Sequence, residues 1–162
     1  MSQLFERMDD AQRRIVEGHL KTIPVKLGAL ARDLNAEVRV AAMGPGQSGS
    51  IQWDGNRYII RVNRHDTRER QRFTIAHEIA HLLLHSEKIR ATEGGIQDNI
   101  LYRSGEPEAI EYEANRLAAD IVMPRQEIER YRNNLSPYGD AQDLAERFGV
   151  SRSAMEIRLG SR

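Results

Sequence analysis

Gln71-Arg72-Phe73-Thr74-Ile75-Ala76-His77-Glu78-Ile79-Ala80-His81-Leu82-Leu83-Leu84-His85 is the stretch from which the rest of the chain is read. On a helix, residues four apart stand one above the other, so His77 and His81 can direct two imidazoles at one cation. Glu78 sits about 100° round the same helix, beside that point rather than bonded to it. Two neutral nitrogen ligands, with a carboxylate placed to take a proton from water, form the arrangement that zinc-dependent peptide hydrolysis needs. The competing explanation is a solvated helix that happens to carry two histidines. A helix and a third ligand decide between them.

The helix is well supported. Asp66 and Thr67 suit an N-cap, Glu69 follows Asp66 at capping-box spacing, and neither Gly nor Pro intervenes before His85. At about 100° per residue, Phe73, Ala76, Ala80 and Leu84 form an apolar stripe for a core. Arg70, Thr74, His77, Glu78, His81 and His85 gather on the adjoining face.

The whole chain sets limits. Its 162 residues are enough for one domain with a real core. We expect residues 1–135 to form a zincin-like metallopeptidase domain with N-terminal helices, and 136–162 a helix-turn-helix-like appendage packed on the same domain. Hydrophobic residues make up 40% and charged residues 30%, the balance of an ordinary globular protein, and the net charge of zero leaves no field to recruit nucleic acid or an anionic membrane. Absence of cysteine excludes disulfides and thiolate metal sites. Met1 to Arg7 lacks the apolar run of a signal peptide and no later stretch could span a bilayer, so the reading is a cytoplasmic protein.

In chain order, residues 8–20 carry Met8, Ala11, Ile15 and Leu20 at helical spacing, with Asp9 and Asp10 suited to a first turn. Pro24 restarts the chain into a short helix from Val25 to Asn35. Val38 and Val40 alternate with Glu37 and Arg39, as in a half-buried strand, and residues 44–49 form a loop. Ser50 to Trp53 and Tyr58 to Val62 are two strands of a hairpin across Asp54-Gly55-Asn56. These elements predict a small three-stranded antiparallel sheet in a mostly helical α+β fold. Ala91 to Gly95 reads as a mobile loop rimming a cleft, and a further helix runs from Pro107 to Met123, with a core stripe of Ile110, Ala114, Leu117 and Ile121 and a stop at Pro124. Ala141 to Leu159 reads as two short helices broken at Phe148 to Ser151.

The candidates for a third ligand are Glu111, Glu113, His65 and His85. His85 lies about 12 Å along the axis from His77, too far to close a tetrahedral shell, and His65 suits a loop or cap. Glu111 and Glu113 stand about 200° apart on their helix, so at most one faces the metal. Glu111 borders the core stripe and stacks with Asn115, a polar group placed to hold a ligand histidine from behind. Glu113 shares its side with Arg116 and Asp120, as on a solvated face, and the geometry therefore favours Glu111.

Gln71 to His81, followed by Glu111-Tyr112-Glu113-Ala114-Asn115 and a segment that ends in Met123-Pro124, resembles the ImmA/IrrE family of zinc metallopeptidases. The hairpin and the tail from Leu144 to Leu159 are similar too, so the resemblance spans about residues 23–160. It implies one Zn2+ per chain held by His77, His81 and Glu111, with Glu78 as general base and Asn115 behind a ligand histidine. It also implies a protein substrate, a helix-turn-helix repressor whose cleavage would release stress or mobile-element genes. Leu117 stands where many members have Phe, a conservative change.

The oxyanion-stabilising group is not evident in the sequence, and Tyr102, His85 and Arg70 are the candidates. Two other readings compete with proteolysis. Ala145 and Gly149, with Leu144, Phe148, Val150, Met155 and the cap residue Ser151, match a helix-turn-helix register. The helix that would enter the groove carries only Arg152, Glu156 and Arg158, so direct binding of nucleic acid is not expected. The second is a zinc-binding regulator that sequesters a repressor without cutting it. Arg61, Arg64, Arg68, Arg70 and Arg72 surround Asp66 and Glu69, either as a solvated helix entrance or as a basic rim for an acidic stretch of a partner.

Overall fold

The helix that carries both histidines runs from Arg68 to Leu84, and every residue from Ala76 to Leu83 is buried. The expected one-sided stripe is therefore too narrow, because this helix is enclosed by other elements. Around it the computed structural model describes residues 3–99, 108–134 and 141–160. A 3-10 turn at Gln3–Arg7 precedes α1 (Asp10–His19) and α2 (Leu27–Asp33); strands β1 (Ala36–Ala41), β2 (Gln47–Trp53) and β3 (Tyr58–Asn63) lead into α3 (Arg68–Leu84). Then come α4 (Ser86–Ala91), β4 (Ile96–Asn99), α5 (Glu108–Val122), α6 (Arg125–Asn134), α7 (Ala141–Phe148) and α8 (Arg152–Leu159). Pro107 and the 135/136 boundary of the expected appendage lie outside the described residues. No described helix is long and apolar enough to cross a membrane.

Local chemistry sets the ends of these elements. Asp9 caps α1 in a reciprocal capping box with Gln12. Asn35, with φ of 64°, turns the chain out of α2, and its amide donates to the Asn56 carbonyl at 3.1 Å. Asp54 Oδ1 accepts from the backbone of Asn56 and Arg57, both at 2.8 Å, and this fixes the hairpin at the predicted place. The cap of α3 is Thr67, whose Oγ1 accepts from Arg70 N at 3.2 Å, whereas Asp66 reaches the Arg70 guanidinium at 3.7 Å instead of forming the expected box with Glu69. Pro124 ends α5 and also opens α6, since Glu127 N and Ile128 N both donate to its carbonyl.

The sheet corrects the expected three antiparallel strands. Four strands lie in the order β1-β3-β2-β4. β2 pairs antiparallel with β3 as the hairpin requires, but β1 runs parallel to β3 on its far side, with Val38 opposite Ile60. The loop after β1 crosses two strand spacings, about 10 Å, which its few residues span easily. On the other edge β4 pairs antiparallel with β2. The expected mobile loop at residues 91–95 is instead a tight turn into β4, seated so closely on β2 that a Cβ on Gly95 would lie 1.9 Å from the Ile51 carbonyl oxygen.

Core packing joins all parts. Leu4, Phe5 and Met8 from the N-terminal turn are buried together with Ile79 and Leu82 of α3, Leu117 and Ile121 of α5, and Leu144, Phe148 and Met155 of the C-terminal pair. The break between α7 and α8 is as read: Gly149 has φ of 70°, and Ser151 Oγ accepts from Ala154 N at 3.1 Å. Arg72 fastens this turn to α3. Its Nε donates to the Gly149 carbonyl at 3.2 Å and its Nη2 to the Val25 carbonyl at 3.0 Å. A guanidinium replaced by Met keeps the bulk and deserts both carbonyls. Arg72→Met should lower the unfolding free energy by roughly 2–4 kcal/mol at an unchanged denaturant slope, as measured by urea titration.

Candidate metal centre

Three donor atoms meet between α3 and α5. His77 Nε2 lies 3.1 Å from His81 Nε2 and 3.1 Å from Glu111 Oε2, and His81 Nε2 lies 3.1 Å from Glu111 Oε1. The i,i+4 spacing stacks the two rings on one helix face, and α5, packed against α3, brings Glu111 across to them. Glu78 is fully buried beside them, and one ligand atom from each of His77, Glu78 and His81 falls within a common 4.8 Å. This buried group could hold a metal ion.

The electrostatics agree. Burial would raise the Glu111 carboxyl, but hydrogen bonds with His77 and His81 outweigh that and hold it well below the usual carboxylate range. Burial pushes His81 down to about 4, so its imidazole is neutral near pH 7. His77 Nδ1 lies 2.9 Å from Asn115 Oδ1, and donation to that oxygen would turn the Nε2 lone pair toward a metal. Donor atoms held this close need either shared hydrogens or a cation among them. A tetrahedral zinc with bonds of about 2.0–2.1 Å sets its ligands about 3.3–3.4 Å apart, close to the three separations seen here. Spacing and donor type both fit zinc.

Behind the site, β2 approaches α3 closely at Gly49, which brings no side chain of its own. A Cβ on Gly49 would lie 2.4 Å from Thr74 Cγ2 and 2.9 Å from the Arg61 carbonyl oxygen, with Glu78 Cγ at 3.7 Å. Next to it the β2–β4 register shifts, so that Ser48 turns inward and its hydroxyl accepts from Arg70 at 3.3 Å. In front, a cleft of about 920 Å³ opens from His77, Glu111 and Asn115 to Gln97 of β4 on one side and Arg152 and Ile157 of α8 on the other. Ile157 is 79% exposed on that far wall.

The expected residues divide clearly. His77, Glu78, His81, Glu111 and Asn115 come together, and His65 stays exposed before α3. Of the oxyanion candidates, Arg70 lines the cleft, Tyr102 lies outside the described residues, and His85 does not line the cleft. His85 has both ring nitrogens engaged, at 2.9 Å from His81 Nδ1 and at 3.0 Å from Glu113 Oε1. Glu113 is thus a correction: it does not sit on a solvated face with Arg116 and Asp120. The hydrogen bond from His85 holds its carboxyl below the usual range, and Arg7 adds to the effect. The signal in the sequence was His85 itself, one further turn along the ligand face of α3. The basic cluster also separates, since Arg72 points inward while Arg64 and Arg68 are exposed.

Gly49→Ala should cost roughly 1–3 kcal/mol in a denaturation experiment, from overpacking against α3. Adding Thr74→Ser, which removes the clashing methyl but leaves the Arg61 carbonyl in place, should recover only part of that loss.

A model of the IrrE N-terminal-like domain of Peptidase M78 matches residues 31–160. No curated protein matches the sequence. Among solved structures, a Mycobacterium tuberculosis transcriptional regulator shares the fold with a TM-score of 0.65 at 22% identity, over 99% of this chain and 48% of that one. The chain therefore spans about half the length of that regulator.

Proposed function

Because the chain belongs to the Peptidase M78 family through its IrrE N-terminal-like domain, we propose that it is a zinc-dependent endopeptidase that cuts a helix-turn-helix repressor. The observation that carries this reading is the triangle of His77 Nε2, His81 Nε2 and Glu111 oxygens at 3.1 Å, with buried Glu78 beside it and a cleft in front. His77, His81 and Glu111 would hold the ion, and Asn115 keeps His77 turned toward it. Bound zinc would supply Lewis acidity that polarises a peptide carbonyl and eases deprotonation of water. Glu78 is the base: its carboxylate accepts the proton of the attacking water and delivers it to the departing amine nitrogen. The cleft admits an extended segment, so the cut falls where the repressor is exposed or transiently unfolded.

The repressor as substrate class rests on the family resemblance, and a cytoplasmic setting fits that role. DNA reading by α8 has little support. Arg158 donates to Asp120 Oδ1 at 2.7 Å and to the Met123 carbonyl at 3.0 Å, and Arg152 donates to Glu156 at 2.7 Å. The cations that would meet phosphate are already engaged within the protein.

Glu78→Gln keeps the size of the side chain and removes the base. It should retain zinc and partner binding while turnover falls about 10²–10⁴-fold, followed by the intact mass of a candidate helix-turn-helix repressor. Wild-type protein that binds this repressor and never cuts it would instead favour sequestration. Glu111→Ala should lower zinc affinity by orders of magnitude in a chelator competition, as should His77→Ala and His81→Ala.

A further inference from the structure

The outer nitrogen of His81 meets neither a carbonyl nor a carboxylate; it meets another histidine. His81 Nδ1 is 2.9 Å from His85 Nδ1, and His85 Nε2 is 3.0 Å from Glu113 Oε1. The other oxygen of Glu113 accepts from Arg7 Nη1. We propose that the row Arg7–Glu113–His85 fixes the tautomer and direction of His81, so that the N-terminal turn positions a ligand of the metal centre; the inference rests on the metal-centre reading above.

Hydrogen bookkeeping gives the row its direction. A carboxylate only accepts, so the hydrogen between His85 and Glu113 sits on His85 Nε2. A neutral His85 with that hydrogen has its lone pair on Nδ1. Two ring nitrogens 2.9 Å apart bond only when one carries a hydrogen, so His81 donates from Nδ1. With a cation among the inner donors, the remaining lone pair of His81 then lies on Nε2, where His77 and Glu111 converge. Each placement follows from the one outside it, beginning at Arg7.

The outer end is held firmly enough to matter. Leu4, Phe5 and Met8 are buried, and Arg13 donates to the carbonyls of Phe5 at 3.2 Å and Met8 at 3.3 Å, so the turn that bears Arg7 is part of the core. The side chains of Arg7 and Glu113 are 43% and 31% exposed, and such a pair contributes little stability by itself. Its effect is orientation. His77 Nδ1 meets the Asn115 amide of α5, whereas His81 depends on three residues from three elements. Arg7 also lies outside residues 31–160, the span that the family model matches, so this support belongs to the N-terminal segment of the present chain.

His85 is a positioning residue, and the test separates its hydrogen bond from its bulk. Long-range proton–nitrogen correlation spectra of the full-length, zinc-loaded protein read which His81 nitrogen carries hydrogen, and zinc affinity is read by chelator competition. In wild type His81 should carry its hydrogen on Nδ1. His85→Leu keeps bulk without an acceptor and should weaken zinc about 10–100-fold. His85→Asn places an oxygen near the lost Nδ1 and should recover most of that affinity. Arg7→Ala should weaken zinc only a few-fold. A wild-type spectrum with the hydrogen on Nε2, or His85→Leu with wild-type zinc affinity, overturns the proposal. If His85→Leu fails to fold, the wild-type spectrum and the gap between His85→Asn and wild type decide it. A wild-type chain that binds no zinc would instead refute the metal-centre reading, and the row would still be decided by the His85 spectrum of the same protein, a ring without hydrogen on Nε2 overturning it.

Discussion

Burial of two imidazoles and a carboxylate on one helical turn is the constraint to which the surrounding structure answers. Polar groups withdrawn from water are costly unless other polar groups meet them. Here each neighbour meets that demand differently. The sheet lies against the back of α3, where Gly49 leaves room for Thr74. α5 brings Glu111 and Asn115 to the front, and Glu113, two residues after Glu111, engages His85. Apolar residues of the N-terminal turn and of α7 and α8 close the remaining sides. Solvent reaches the centre through the cleft, where a substrate would have to enter.

Arg72 shows how the same demand shapes the periphery. Burial lowers its affinity for a proton, the neighbouring charge of Arg68 adds to that, and its two described hydrogen bonds go to backbone carbonyls. In exchange it fixes the turn between α7 and α8 at one end of the cleft. A motif that reads in isolation as a DNA-binding unit is thereby built into the wall of a peptide-sized groove. Its apolar residues Leu144, Phe148 and Met155 face the core, and the exposed Ile157 faces the groove.

Much of this was legible in the sequence because the signals were local. HExxH spacing, the absence of Gly and Pro from α3, the Asp54-Gly55 turn and the Ser151 cap each operate within a few residues. The parallel pairing of β1 with β3 was not legible, because alternation of side chains tells which face is buried and not which strand lies next door. β4 has four residues, too few to show a period, and its two preceding glycines suggested looseness where Gly95 serves close approach. Pro124 was read as an end when it is also a beginning. Glu113 was misplaced because helix angles were measured against a single metal, while α5 meets α3 over more than one turn. The Arg7 contact, 106 residues away in sequence, leaves no local trace at all.

That sequence distance bears on how the protein comes into being. Arg72 finds its carbonyl partner 77 residues downstream, at Gly149. A ribosome extrudes the HExxH helix well before Glu111, and Glu111 well before the turn that closes the cleft. At about 5–20 residues per second, the interval between His81 and Gly149 is roughly 3–14 s. For the first part of that time the nascent chain holds His77, Glu78 and His81 without Glu111, and for all of it without the far wall. On the function proposed above, hydrolytic capacity would arrive late in synthesis, and the growing polypeptide would be spared its own chemistry.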